Sequence, residues 1–165
     1  MRLDEIFWPF KKKEPAVKEE YDDSKVSLKA GIIPYFKHPD GIVEFLFMVS
    51  SDPKFGGPDP MISKGGVDAG ENAKQAAIRE GQEELGLKPS NIKSPLIVVS
   101  DETISGLENS YRMVVFACEV KNKTDFGPHH YETAYTKWMT LDQFMTHGRK
   151  SHRGIVGKAA HMVGN

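Results

Sequence analysis

The sequence predicts an α/β fold in which one sheet is covered by helices on both sides. Two observations carry this. β-branched and aromatic runs bounded by turn residues recur along the chain, and they are interleaved with segments of helical periodicity, one with its own start and stop signals. Length sets the scale: 165 residues, 39% hydrophobic and 10% aromatic, suffice for one ordinary core and are too few for two comfortable domains.

Residues 1–24 read as a lead-in. KKKEPAVKEEYDDS is charged and nearly without apolar content, the composition of a linker or weakly ordered segment. Ahead of it Phe7, Trp8 and Phe10 are too apolar for comfortable solvation, so this segment could pack on the sheet or pair subunits; the oligomeric state stays open, with a dimer as one option. The domain is expected over 25–165. VSLKAGIIPYF and GIVEFLFMVSS flank KHPDG, whose Pro-Asp-Gly makes a β-hairpin turn. DPKFGGPDPMISKGGVDAGE, with five glycines and three prolines, reads as a long loop of the kind that serves function. A helix follows from about Asn72 to Leu85. Asn72 with Gln75 has the form of a capping box, and Gly86 supplies the stop. SPLIVVSD and SYRMVVFACEV read as strands separated by a polar loop, DETISGLENS, and TKWMT as a further short strand. Helices near Leu141 and from about Ser151 close the chain, each interrupted by glycine.

Composition excludes several classes. A net charge of −1, from 22 basic and 23 acidic residues, provides no global basic field for nonspecific nucleic-acid binding. The one cysteine, Cys118, lies in an apolar run, which makes a disulfide within the chain impossible, disfavours a thiolate zinc site and suggests a buried thiol. No run of 18 apolar residues exists, so the expectation is a cytoplasmic protein without a membrane partner.

The chemistry concentrates in REGQEELG, residues 79–86. Glutamates three and four apart on a helix repel one another. At about 100° per residue, Ala73, Ala76, Ala77, Glu80 and Glu84 share one arc, with Glu83 on its shoulder. The alanines mark the packed face, which directs Glu80 and Glu84 toward the body of the protein; a solvated surface helix would place them opposite. Buried unpaired carboxylates cost several kcal/mol each, roughly, and a hard divalent cation compensates them. Oxygen ligands favour Mg²⁺ or Mn²⁺ over Zn²⁺. Just upstream, Gly65 and Gly66 allow close backbone approach and Lys64 can meet a phosphate.

GGVDAGENAKQAAIREGQEELGL, residues 65–87, resembles the box of the Nudix hydrolases at Gly65, Glu71, Arg79, Glu80, Glu83, Glu84, Gly86 and Leu87. Gly81 departs from it, standing where the family has a bulky apolar residue; a large neighbour filling the space, or else a widened pocket or a weakened site, would account for it. The resemblance implies an α/β/α sandwich with a mixed sheet between helices, and a Mg²⁺-dependent pyrophosphohydrolase cleaving a phosphoanhydride in a nucleoside diphosphate-linked substrate. Under it, Glu80, Glu84, Glu83 and the Lys64 carbonyl are metal ligands, with Glu83 alternatively the general base. Glu71 and Arg79 form an ion pair that orients the acids, and Lys64, Gly65 and Gly66 meet the substrate. The family often takes a further acid from a later loop, and Glu132 in HHYETAYTKWM is the first candidate, against a solvated loop glutamate; Glu102 is the second. His129 and His130 could contact phosphate but fit an exposed loop, and Trp138 fits the core.

The substrate is less legible. SKGG is similar to the lead-in of enzymes acting on dinucleoside polyphosphates or RNA 5′ ends. Lys121, Lys123, Arg149, Lys150, His152, Arg153 and Lys158 make the last third locally basic, which suits a long polyphosphate or an RNA 5′ end unless they are simply solvated. Nucleotide sugars and nucleoside triphosphates also fit the class. The opposing reading is a catalytically silent nucleotide or RNA sensor on the same fold, motivated by Gly81 and the basic third.

Overall fold

In the computed structural model, which describes residues 26–55, 57–105 and 110–164, two opposed apolar faces organise the chain. The lead-in of residues 1–24 lies outside the described residues. The strands are β1 (Val26–Lys37), β2 (Val43–Ser50), β3 (Ser63–Gly66), β4 (Ile97–Ser105), β5 (Ser110–Glu119) and β6 (Thr133–Met139). The helices are α1 (Ala73–Leu85), α2 (Leu141–His147) and α3 (Arg153–Met162), with short 3₁₀ turns at Pro89–Asn91 and Lys150–His152. The sheet order is β4-β5-β1-β2-β6, with β3 paired to β1 alone. Among the described residues only β1 and β5 run parallel; every other pairing there is antiparallel. The sheet is therefore mixed, as expected.

Alternation along the strands explains the layers. Ala30, Ile32, Leu46, Met48, Val114, Phe116 and Cys118 face α1, whereas Ile33, Phe45, Phe47, Met113, Val115 and Ala117 face α2 and α3. Covered on both sides, the strands read as nearly continuous apolar runs. Cys118 is fully buried, and burial pushes its thiol up to about 12. Trp138 is only partly buried, edge-on to Phe126.

Two expectations need correction. The Gly/Pro-rich stretch is not wholly loop: Ser63–Gly66 pairs with Lys29–Ile32, and Met61 bridges Met48. The polar DETIS also belongs to β4, held in register by β5, where the Arg112 guanidinium forks onto the Asp101 carboxylate at 2.8 and 2.7 Å. The hairpin joining β1 and β2 turns at Gly41, whose φ of +94° only glycine adopts without strain. The α1 caps are as read: Asn72 and Gln75 form the reciprocal box, and Gly86 closes the helix in the left-handed region at φ 72°.

Gly81 has a packing reason. It is buried, and a Cβ there would meet Ile32 Cγ2 at 3.0 Å and Leu87 Cδ2 at 3.1 Å. Sheet and helix end already fill the volume that an apolar side chain would occupy, so no widened pocket results.

Candidate active site

The glutamate face of α1 lies against β3. Ala73, Ala76 and Ala77 are buried, and the same face continues into Glu80, whose side chain is only 13% exposed. The structure thus places the acids inward, as the wheel predicts. Glu84 Oε1 accepts hydrogen bonds from Ser63 Oγ at 2.7 Å and from the Lys64 backbone N–H at 2.9 Å. Burial, reinforced by the nearby Glu80 charge, raises the Glu84 carboxyl to about 7 in spite of those donors. Burial likewise raises Glu80; Arg79 opposes this, and the Glu83 and Glu132 charges add to it.

Arg79 ties the acids together. Its Nε and Nη2 donate to both oxygens of Glu71, at 2.8 and 3.1 Å, which holds the Glu71 carboxyl below its usual range and raises the guanidinium further. Its Nη2 also donates to the Gly66 carbonyl at 2.8 Å, and its Nη1 to Glu80 at 2.9 Å and Glu83 at 3.3 Å. Gly65 is a space requirement: a Cβ there would sit 2.2 Å from the Glu80 carboxyl carbon.

Glu132 reaches this neighbourhood because its loop docks on the end of α1. A helix leaves its last carbonyls without partners. Here the His130 N–H donates to the Glu83 carbonyl at 2.7 Å, Thr133 Oγ1 to the Glu84 carbonyl at 2.9 Å and the Gly127 N–H to the Gly86 carbonyl at 2.7 Å. From the other side Ser51 N donates to the Glu132 carbonyl and Ser51 Oγ to the Tyr131 carbonyl. Glu132, Glu84, Lys64 and Met61 line one cleft of about 460 Å³, whose wall also carries Phe55 and Tyr131, exposed by 72% and 87%.

Other candidates are placed differently. Glu102 is engaged by Lys158 Nζ at 2.5 Å in a separate cleft with His152 and Arg149. His129 and His130 are exposed, and His130 acts through its backbone. The basic last third does not form one solvated patch: Lys123 pairs with Glu44, Arg153 donates to the Gly148 and Thr146 carbonyls, and His152 is buried, held down to about 3 by burial and by the charges of Lys64 and Arg149. Sequence reasoning missed Ser63 and Thr133 as supports of Glu84, and Phe55 and Tyr131 as cleft aromatics. Ser63 falls on the face of Gly65 by strand alternation, a signal that exists only once pairing with β1 makes this stretch a strand.

The donor set fits a hard divalent cation: carboxylate oxygens, two of them on half-buried side chains, with Arg79 opposing the Glu80 charge and Ser63 and Lys64 opposing that of Glu84. Among the described residues no three acids or histidines already form a closed cage, and Arg79 Nη1 lies between Glu80 and Glu83. Such an open arrangement suits a hard divalent cation that keeps waters and takes few protein carboxylates.

Sandwich, box and cleft together define a Nudix-type hydrolase acting on phosphorus-containing anhydrides. The chain belongs to that family, since the NUDIX domain profile matches residues 37–158. Comparison with curated protein sequences found no match. Among solved structures, the binary complex of the C. elegans Ap4A hydrolase is similar at 22% identity, with 83% of this chain and 97% of that one covered and a TM-score of 0.68. The NUDIX domain of Shewanella oneidensis NrtR, complexed with ADP ribose, gives 13% identity, 91% and 98% coverage and a TM-score of 0.69. The M. smegmatis Nudix hydrolase RenU gives 16%, 83% and 85%, and 0.64. At these identities the likeness is one of fold. No helix among the described residues is long and apolar enough to cross a membrane.

Proposed function

We propose that the protein is a Mg²⁺-dependent pyrophosphohydrolase, with Mn²⁺ as a substitute, that cleaves a phosphoanhydride bond in a nucleoside diphosphate-linked substrate. One observation carries the reading: Glu80 and Glu84 are half-buried together, pushed toward protonation, beside a cleft with two exposed aromatic side chains. Carboxylates in that state gain most from a cation, and exposed aromatic rings offer faces on which a base can stack.

Glu80, Glu84, Glu83 and the Lys64 carbonyl are the groups that would hold the metal. When bound, it supplies polarisation of a phosphoryl oxygen and a lowered pKa for attacking water. Ser63 Oγ and the Lys64 N–H orient Glu84. Arg79, braced by Glu71 and the Gly66 carbonyl, orients Glu80 and Glu83. Glu83 or Glu132 takes the proton of the attacking water, Glu132 being held at the cleft by the loop docked on α1. Gly65 leaves room for the Glu80 carboxylate, and the backbone of Lys64, Gly65 and Gly66 borders the phosphates. The likeness to structures complexed with, or named for, ADP ribose and Ap4A supports a nucleotide substrate. A cytoplasmic location is part of the same reading.

The test is a hydrolysis screen of the full-length protein against diadenosine tetraphosphate, ADP-ribose, nucleoside triphosphates and 5′-triphosphate RNA, with Mg²⁺, Mn²⁺ or EDTA. Metal-dependent release of a nucleoside monophosphate or phosphate is expected from at least one of them. Tight nucleotide binding with no product under any metal would reject the enzymatic reading in favour of a silent sensor.

A further inference from the structure

We propose that the face of β3 opposite the glutamates forms a second anion subsite, in which Lys64, Arg149 and the His152 Nε2–H hold the distal phosphates of a polyphosphate-bearing nucleotide. This rests on the hydrolytic reading above and narrows it to substrates with phosphates beyond the scissile pair.

Strand alternation separates the two sites. Ser63 and Gly65 face α1, as the Ser63–Glu84 hydrogen bond and the Gly65–Glu80 approach require. Lys64, between them, faces the other layer while still lining the catalytic cleft with Glu84. Its register partner is Gly31, and Lys29, opposite Gly66, points the same way, because Ala30 between them packs under α1. Arg149 enters this layer from the turn before α3. Its N–H donates to the Pro60 carbonyl at 2.8 Å, and its Nη1 lies 3.9 Å from the Met61 sulfur. Met61 lines the catalytic cleft, while Arg149 lines a second cleft of about 300 Å³ with Tyr111, His152, Glu102 and Lys158. Arg149 therefore stands between the two.

Among the described residues no carboxylate lies at ion-pair distance from Lys29, Lys64 or Arg149, whereas Arg79 pairs with Glu71, Arg112 with Asp101 and Lys158 with Glu102. Lys29 rests its ammonium over the Tyr111 ring, 4.4 Å from the centroid. Like charges gathered without a partner repel, and an anion between them removes the repulsion. The arrangement mirrors the glutamate cluster across the strand. His152 adds a neutral donor: its Nδ1 accepts the Ile62 N–H at 3.1 Å, so Nε2 carries the proton, and that N–H has no protein acceptor among the described residues. Glu102, the one carboxylate among the described residues of the second cleft, is neutralised by Lys158 at 2.5 Å. A diphosphate held at the glutamates has no further phosphate to send past β3; a tri- or tetraphosphate does.

The experiment compares wild type, Arg149→Gln and Arg149→Lys in two measurements. Inorganic tripolyphosphate binding is measured by calorimetry on the full chain without divalent metal, and kcat/KM is measured with Mg²⁺ for diadenosine tetraphosphate and ADP-ribose. Losing a charge-assisted contact of this kind weakens binding about tenfold. Arg149→Gln should therefore weaken tripolyphosphate about tenfold and lower the ratio of tetraphosphate to ADP-ribose kcat/KM by a similar factor, with Arg149→Lys recovering most of both. Unchanged tripolyphosphate binding, or an unchanged ratio in a protein that hydrolyses both substrates, overturns the subsite while leaving the hydrolytic reading intact. Tripolyphosphate binding that depends on Arg149 in a protein that hydrolyses nothing upholds the subsite and rejects that reading.

Discussion

Helices α1 and α3 pack on opposite faces of one sheet through the same kind of surface, yet their buried stripes end differently. In α3 the stripe runs through Ile155, Val156, Ala159 and Ala160 and continues apolar to Val163. In α1 it runs through Ala73, Ala76 and Ala77 and then becomes Glu80 and Glu84. Both helices use small residues to approach the sheet, but only α1 carries charge into the interface. Where a packed face stops being apolar without a matching set of cations, its residues serve a ligand rather than the core.

The largest expected effect breaks the comparison from the α3 side. Ala159→Glu would bury a carboxylate where no donor set has been built, and it should cost about 3–5 kcal/mol, read as a drop in the urea midpoint. Acids at Glu80 and Glu84 are tolerated only because Ser63, Lys64 N–H and Arg79 stand ready for them. Next comes Gly65→Ala, which pushes on the Glu80 carboxyl from 2.2 Å. Displacing a positioned group by an ångström costs about 100-fold in rate, so kcat/KM should fall by that order while the unfolding midpoint barely moves. The smallest concerns Gly81. Alanine there gains about 1 kcal/mol of helix propensity against a 3.0 Å approach by Ile32, and its net effect on the midpoint should be near zero. Gly81→Leu should destabilise by about 1–3 kcal/mol through overpacking.

The parts of this architecture that were legible in the sequence are local. The Asn72–Gln75 box, the alanine stripe and Gly86 act within one helix, so their pattern sufficed to place α1 and turn its acids inward. What escaped is non-local. Strand β3 has two glycines in four residues and no propensity of its own; pairing with β1 makes it a strand. The polar end of β4 is held by cross-strand pairing and the Asp101–Arg112 fork. Glu132 could be suspected, but its approach to Glu80 depends on three donors, from Gly127, His130 and Thr133, that find the end of α1 only in the folded chain. The basic third reads as one patch in sequence but divides in space: Arg149, His152 and Lys158 share one cleft, whereas Lys123 and Arg153 are engaged elsewhere by Glu44 and by the Gly148 and Thr146 carbonyls.

The central claim is that the acid end of the α1 stripe is built for a divalent cation, and stability as a function of pH tests it most directly. Glu84 titrates at about 7 in the folded protein, from an ordinary value of 4.5. The folded state therefore binds more protons than the unfolded state between those values, and stability must fall as pH rises through that window. At one pKa unit per 1.36 kcal/mol the loss is at most about 3 kcal/mol above pH 7. Chemical denaturation of wild type and Glu84→Gln from pH 4.5 to 8.5, with and without Mg²⁺, reads this out. The account predicts that metal-free wild type weakens with rising pH relative to Glu84→Gln, that the variant is the more stable at pH 8, and that Mg²⁺ restores wild type alone while the variant loses turnover. Parallel pH profiles for the two proteins, with Mg²⁺ stabilising both equally or neither, would contradict it.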